Sequence, residues 1–303
     1  MSTRITHAMV SQQVLTDIQD VAAKLAKTQR KLASGKEIEK PSDNPYGTSR
    51  ALALSNSLEG IKQFERNVNE ATSWTSVTNT ALTSINSAAQ RARELLVQAG
   101  NDTYDATSRT AIADEIDQLI DTIKGDANAQ VAGSYVLSGT KTDTAPYTVG
   151  GADTYNGNSA SVYRQIGPGV ALPINTLGST VLGNGVSGDG GLIGVLRDIS
   201  THLRAGTAAA GDALRTTDLQ AIDASMDTIS QSIAVVGATS NRLTNAASRL
   251  SEIEESTTSL LSDTQDADMA QTMIDFSTQQ SVYQSALAAG AKIVQSSLLD
   301  FLS

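Results

Sequence analysis

The 303-residue chain contains no cysteine, which excludes disulfide bonds and thiol chemistry. Its only two histidines, His7 and His202, lie far apart in the sequence, which argues against a zinc site. Aromatic residues make up only 4% of the chain, so slender helix–helix packing is favoured over a bulky globular core. The 22 basic and 32 acidic residues give a formal net charge of −10, and a basic surface for nucleic acid is therefore not expected.

Long hydrophobic runs are also missing from the sequence. No segment approaches the ~20 consecutive apolar residues of a membrane span. Residues 1–10 lack the hydrophobic stretch of a general secretory signal. The sequence therefore predicts a protein that does not insert into membranes and that, if it leaves the cell, does so without a cleaved signal peptide.

Proline is scarce, and its five positions divide the chain. None lies between Pro45 and Pro146 or after Pro173, and long helices can run unbroken in these two intervals. Apolar residues at a period of seven support this interpretation, as in Leu54, Ile61 and Val68. Helices are predicted over approximately 5–33, 45–99, 108–129, 192–204, 217–261 and from 269 to the C-terminus.

The two chain ends carry heptad patterns, and a single chain does not easily cover the apolar surface that these patterns create. From Met269 onward the only charged residues are Asp275, Lys292 and Asp300, so the last helix has no charged face for water. We therefore expect both end helices to pack against other copies of the chain. The predicted assembly residues are Leu15, Ile18, Ala22, Leu25, Leu32, Met269, Met273, Phe276, Tyr283, Leu287, Val294 and Phe301.

A short segment after the first helix is interpreted as a joint between this helix and the next. Pro41 and Pro45 bracket it, and Asn44 followed by Pro45 suits an N-cap and a first helical residue. Basic residues also cluster at the end of the first helix and are interpreted as a solvated or inter-subunit polar surface: Lys24, Lys27, Arg30, Lys31 and Lys36.

The middle of the chain has a different amino-acid composition. Residues 133–194 hold 14 of the 23 glycines, and Asn156-Gly157 between apolar runs predicts a β-hairpin. The predicted fold is mainly α: a long antiparallel helical bundle or coiled coil made from both chain ends, with a small β-rich domain inserted at its tip. The predicted domains are 1–40 with 265–303 for assembly, 41–135 with 192–264 as a helical rod, and 136–191 as the insert.

The sequence contains no convincing motif for catalysis or for binding a cofactor or metal. The glycines from Gly183 to Gly188 match G-x-G-x-x-G, but no parallel-sheet pattern precedes them, so a connector is predicted. The acidic segment from Asp263 to Asp268 lacks the glycine turn and distal glutamate of a calcium loop and is interpreted as a helix break. For Trp74, core packing or a subunit contact outweighs a ligand role. No catalytic, cofactor-binding or metal-binding residues are predicted, and no cofactor.

Four stretches resemble one family. Residues 31–36 (KLASGK) and 41–45 (PSDNP) resemble the N-terminal region of bacterial flagellins and hook-associated proteins. Residues 90–101 (QRARELLVQAGN) are similar to the signature at the end of the family's second helix, and 236–243 (VGATSNRL) to the signature of its C-terminal half. The resemblance covers about residues 1–135 and 192–303.

The resemblance implies a non-enzymatic, self-assembling structural subunit of the bacterial flagellum, exported through the flagellar type III channel. The 133–147 segment, the C-terminal sequence 297–302 and the double-proline loop favour the members that join hook to filament. The implied partners are further copies in a ring or tube, other hook-associated proteins, flagellin, and an export chaperone that holds the C-terminal helix. A filament-forming flagellin is the alternative, and a ligand-binding module or enzyme using the insert is a remote one.

Overall fold

The structure is a computed structural model that describes the backbone of residues 7–100 and 105–302, and the side chains of 9–100 and 105–292. Its helices are α1 (His7–Ser34), α2 (Pro45–Ala99), α3 (Ala106–Ala127), α4 (Gly178–Val181), α5 (Leu192–Ala205), α6 (Ala208–Arg215), α7 (Thr217–Gln265) and α8 (Met269–Leu302). The strands are β1 (Gln130–Val131), β2 (Ser134–Tyr135), β3 (Tyr163–Gly167) and β4 (Val170–Pro173). The mainly helical fold class is confirmed.

Local capping chemistry explains why the predicted helix ends are close to the observed ones. Gly35 adopts a φ of +69°, the left-handed conformation that ends a helix, and its N–H donates to the Lys31 carbonyl at 2.8 Å. Asn44 accepts a hydrogen bond from the Gly47 N–H at 2.9 Å, and α2 starts at Pro45 as predicted.

The chain divides into two compact units, one formed by residues 1–60 and 254–303 and the other by residues 61–253. The end helices α1 and α8 belong to the first unit. The second unit contains α3, α5 and the strands, together with most of α2 and α7. The three domains predicted from the sequence remain a prediction.

The second unit is built around the heptad rows recognised in α2 and α7. Leu82 and Ile85 of α2 and Ile222 and Ile229 of α7 are fully buried, in one core with α3 and α5. Arg93 of α2 pairs with Asp223 of α7 at 2.6 Å, close to the end of one helix and the beginning of the other. The antiparallel bundle predicted from helix length and periodicity is confirmed here.

The middle segment has less β structure than its glycine content suggests. Two short antiparallel pairs are present: β1 pairs with β2, and β3 is joined to β4 through Pro168-Gly169, with Arg164 opposite Leu172. The hairpin predicted at Asn156-Gly157 is wrong, because the chain there packs through side chains instead. The Tyr155 hydroxyl donates to the Leu137 carbonyl at 2.9 Å, and burial raises the pKa of this phenol to about 12.

An ionic cluster around the buried Lys124 helps to attach this segment to the helices. The Lys124 side chain of α3 is fully buried, where it pairs with Asp153 and donates to the Gly151 carbonyl at 3.0 Å. Arg197 of α5 reaches the same carboxylate at 2.7 Å and also Asp117 of α3 at 2.6 Å. Burial by itself would raise the pKa of Asp153, but hydrogen bonds from Arg197 and Lys124 outweigh burial and hold this pKa below its ordinary value.

Replacing Asp153 by Asn should lower the free energy of unfolding by about 3 kcal/mol, because Lys124 would stay buried without its main carboxylate partner. Urea unfolding followed by fluorescence of Trp74, the single tryptophan, measures this loss in the same unit. The exposed Asp143→Asn serves as a control and should stay within about 0.5 kcal/mol of the parent.

The same carboxylate predicts an acid dependence. A group whose pKa is lowered by folding stabilises the protein above its unfolded pKa, and this contribution is lost as the pH falls through the folded value. The parent protein should therefore lose stability below a pH of about 4, and the difference between parent and Asp153→Asn should shrink there. A constant difference down to acidic pH would contradict this role of Asp153.

Candidate assembly surface

Helices α1 and α8 pair in opposite directions within the first unit. Gly290 lies against Val14 and Ile18, whereas Gln279, closer to the start of α8, contacts Thr28, closer to the end of α1. A side chain on Gly290 would place its Cβ 3.0 Å from Ile18 Cδ1, so glycine permits the close approach of the two helices here.

The α1–α8 interface uses two rows of residues on each helix. On α8 the residues withdrawn from solvent follow a 4,3 spacing, and several of them are polar or small: Thr272, Phe276, Gln279, Tyr283, Ala286 and Gly290. On α1 the corresponding set is Val14, Ile18, Val21, Leu25, Thr28 and Leu32. The Thr28 hydroxyl donates to Gln279 Oε1 at 2.6 Å, which satisfies both groups inside the interface.

Two turns of the first unit are hydrogen-bonded to each other. The turn between α1 and α2 and the turn between α7 and α8 form a bridge between Lys36 and Asp266. The Glu37 N–H donates to the Gln265 carbonyl at 2.8 Å, and the Ala267 N–H donates to the Gly35 carbonyl at 2.9 Å. This contact joins the two halves of the chain at the base of the helix pair.

The predicted joint lies beside this contact. Pro41, Asn44 and Pro45 are exposed, and the Lys40 N–H donates to Asp43 at 3.2 Å to form a tight turn. The basic cluster of α1 meets the acidic residues of this turn, with Lys27 3.0 Å from Asp43. The hydrogen bond from Lys27 is the main reason that the pKa of the Asp43 carboxyl is lowered.

The predicted assembly residues divide into two groups. Six of them contribute to the α1–α8 interface or lie at its edge: Ile18, Ala22, Leu25, Leu32, Phe276 and Tyr283. Four are exposed: Leu15, Met269, Met273 and Leu287. The side chains of Val294 and Phe301 lie outside the described residues. Whether the exposed residues contact other copies remains a prediction.

The α1–α8 interface uses partly different rows from the ones that the sequence pattern assigned to assembly. The predicted assembly seam combines the Ile18 row with Leu15 and Ala22, and the Phe276 row with Met273 and Leu287. In the structure the companions stand one position earlier, at Val14 and Val21 and at Thr272 and Gln279. One position is a rotation of about 100° around a helix. Polar Thr272 and Gln279 carry no hydrophobic signal, and only their (i, i+7) spacing from each other could have identified them.

Apolar side chains remain uncovered on several sides of α8. Met273 is 62% exposed and Leu287 is 45% exposed, beside the edge that packs on α1. At about 100° per residue, Ile274 and Val282, which are also exposed, point in other directions. A helix with apolar residues on more than one side is normally surrounded by protein. Burial of each such side chain stabilises an interface by about 1.5–3 kcal/mol.

Other kinds of site find little support in the part of the chain that the structure describes. There, no group of three or more His, Asp or Glu residues is arranged to hold a metal ion. No helix among the described residues is both long enough and apolar enough to cross a bilayer. Asp268 belongs to helix capping, because its carboxylate accepts from the Ala270 N–H at 2.9 Å.

Paired end helices with uncovered apolar surface define the class of a self-assembling helical structural protein. Comparison with known families identifies which one. Residues 5–142 match the bacterial flagellin N-terminal helical region, and residues 219–302 match the bacterial flagellin C-terminal helical region. The chain belongs to the family of bacterial flagellins and hook-associated proteins.

Individual relatives come from both branches of this family. The chain is 29% identical to the flagellin of Bacillus subtilis over 96% of both sequences. It is also 29% identical to flagellar hook-associated protein 3 of Salmonella typhimurium, over 59% of this chain and 56% of that protein. This second alignment therefore spans little more than half of the hook-associated protein.

Solved structures of hook-associated proteins share the fold. A flagellar hook-associated protein of Vibrio parahaemolyticus, 24% identical, superimposes with a TM-score of 0.66 over 74% of this chain and all of that one. Flagellar hook-associated protein 3 of Legionella pneumophila, 16% identical, gives a TM-score of 0.61 over 70% of this chain and 98% of that one.

Leu287→Asp should prevent assembly while leaving the α1–α8 pair intact, because Leu287 is exposed and a charge there is solvated only in the monomer. Phe276→Asp should instead weaken the pair itself, because Phe276 packs in the α1–α8 interface. Circular dichroism distinguishes the two variants, and analytical ultracentrifugation measures assembly. Leu287→Met is the control and should assemble. Assembly of Leu287→Asp at the parent concentration would refute the role of this surface.

Proposed function

We propose that this protein is a structural subunit of the bacterial flagellum that assembles at the junction between hook and filament and adapts one to the other. Membership of the flagellin and hook-associated protein family supports the flagellar role. Similarity to hook-associated protein 3 in sequence, and to hook-associated proteins in fold, supports the junction. The role is that of a scaffold and requires no chemistry.

The observation that carries the proposal is the uncovered apolar surface on several sides of α8. A dimer covers one side of a helix, whereas Met273 and Val282 lie on different sides and need different neighbours. Repeated contacts between unlike surfaces of identical subunits close into a ring or continue as a tube. We propose that residues 1–40 and 265–303 form this assembly domain, and that the helices of residues 41–135 and 192–264 form a separate rod domain.

The joint at Pro41–Pro45 suits an adapter between two different neighbours. It is exposed, and its turn is held by single hydrogen bonds and by surface ion pairs such as Lys27 with Asp43, which contribute little stability each. Small changes in its dihedral angles would let the assembly domain follow a hook-associated neighbour on one side and flagellin on the other.

The exposed apolar residues also require protection before assembly. A chaperone that covers Met273 and Leu287 in the cytoplasm would prevent premature association of α8. We propose that the protein then leaves the cell through the flagellar export channel, without a cleaved signal peptide, and functions outside the cell as part of the flagellum.

A filament-forming flagellin is a second candidate, and one observation favours it. The alignment with the Bacillus subtilis flagellin extends over 96% of both chains, whereas the alignment with hook-associated protein 3 covers 59% of this chain. Both functions use the same end helices, so the two candidates differ in how far the assembly grows.

The length of the assemblies that the purified protein forms distinguishes these two functions. A junction subunit should stop at rings or short tubes when its concentration is raised, and immunogold electron microscopy should place it at the hook end of the filament. Long filaments in vitro, with label along the whole filament in cells, would instead establish the flagellin function. The Leu287→Asp variant is the matched negative control for both measurements.

A further inference from the structure

The uncovered surface of α8 carries two methionines, whose thioethers can be oxidised. Met269 is 47% exposed and Met273 is 62% exposed, although methionine is among the residues most often found buried. We propose that both thioethers are sites of reversible oxidation to the sulfoxide, and that this modification prevents self-assembly. This role rests on the proposed assembly function and adds a means of regulating it.

Both methionines lie on one strip of α8, together with the exposed Leu287. The four positions from Met269 to Met273 make one turn and about 40° more, and the eighteen positions from Met269 to Leu287 make about five full turns. This α8 strip flanks the row of Thr272 and Gln279, which packs against α1. A change at either sulfur therefore alters the surface that is offered to other copies and leaves the α1–α8 contacts in place.

The other two methionines in the described part of the chain are placed differently. Met226 of α7 is partly buried and packs against the core of the second unit. Met9 of α1 is exposed, but it precedes Ile18 by nine positions and so lies about 180° around α1 from the side that faces α8. A small oxidant should therefore reach the two methionines of the α8 strip more readily than Met226, and only these two belong to the strip.

Methionine provides the only sulfur that an oxidant can attack, because the chain contains no cysteine. Hydrogen peroxide transfers one oxygen atom: a sulfur lone pair attacks a peroxide oxygen, the O–O bond breaks as the S–O bond forms, and water leaves after a proton transfer. The sulfur loses two electrons, and the peroxide gains them. Methionine sulfoxide reductases reverse the change at the expense of a dithiol, which becomes a disulfide while the oxygen leaves as water.

Oxidation replaces an apolar thioether with a polar sulfoxide, whose oxygen is a hydrogen-bond acceptor. In the free subunit, water hydrates this oxygen because both side chains are exposed. In the assembly, the same oxygen would be buried beside apolar side chains such as Leu287, where no donor replaces the lost water. Burial of one such unpaired polar group should raise the critical concentration for assembly about 10-fold.

Partial oxidation of the full-length monomer with dilute hydrogen peroxide, before assembly is started, tests the proposal. Sedimentation then separates assembled from free protein, and peptide mass spectrometry locates the sulfoxides in each fraction. Sulfoxide at Met269 and Met273 should be depleted in the assembled fraction, whereas sulfoxide at Met226 should be equally frequent in both fractions. Treatment with methionine sulfoxide reductases and dithiothreitol should restore the original critical concentration. Circular dichroism should show the same helix content before and after oxidation.

A double variant with Met269→Leu and Met273→Leu removes both thioethers and keeps apolar side chains of similar volume. It should assemble as the parent does, and peroxide should no longer change its critical concentration. Met226→Leu is the matched control, because it keeps both methionines of the α8 strip and should remain sensitive to peroxide. If the double variant does not assemble even without peroxide, the distribution of sulfoxides in the parent still decides.

Two results would overturn this role and leave the assembly function intact. One is assembly of the parent at its original concentration with sulfoxide at both Met269 and Met273. The other is a peroxide-induced loss of assembly in the double variant, because the cause would then lie at another residue, such as the exposed Met9. If the untreated parent does not assemble at any concentration, the proposed assembly function fails, and the oxidation role fails with it.

Discussion

The first unit depends on a mismatch between the apolar surface of α8 and what α1 can cover. One helix contacts only one side of another, and α1 accordingly covers the row from Thr272 to Gly290. Met273, Ile274 and Val282 lie around the rest of α8, and their apolar side chains are exposed to water. The monomer is thus a folded helix pair with apolar side chains that its own partner helix does not cover, and the proposed assembly would cover them.

Polar groups give this helix pair its register. A purely apolar interface tolerates sliding and rotation, whereas the Thr28–Gln279 hydrogen bond and the close approach at Gly290 each allow one alignment. The backbone bridge between Lys36 and Asp266 aligns the same pair at its base. A defined register in the free subunit presents the uncovered side chains in a defined pattern, which a repeating assembly requires.

In the second unit, the helices hold a glycine-rich segment that has little regular secondary structure. Part of this attachment is ionic: Lys124 and Arg197 converge on Asp153, and the pKa of that carboxyl is lowered despite its burial. A segment that the heptad pattern does not reach is therefore positioned by buried apolar side chains such as Leu137 and Tyr147, together with charge and hydrogen bonds.

The sequence by itself determined the helices and the family. Proline positions, caps such as Asn44 and Gly35, and seven-residue repeats are local signals, so they predicted α2 and α5 at their correct starting residues and the rows that form the core of the second unit. Only the tertiary structure decided which neighbouring row faces the partner helix, where the β3–β4 hairpin forms, and that Lys124, Asp153 and Arg197 meet. These outcomes depend on contacts between residues far apart in the chain. For example, Gln279 belongs to the interface because Thr28 lies opposite and donates a hydrogen bond to it, and the sequence around Gln279 does not show this.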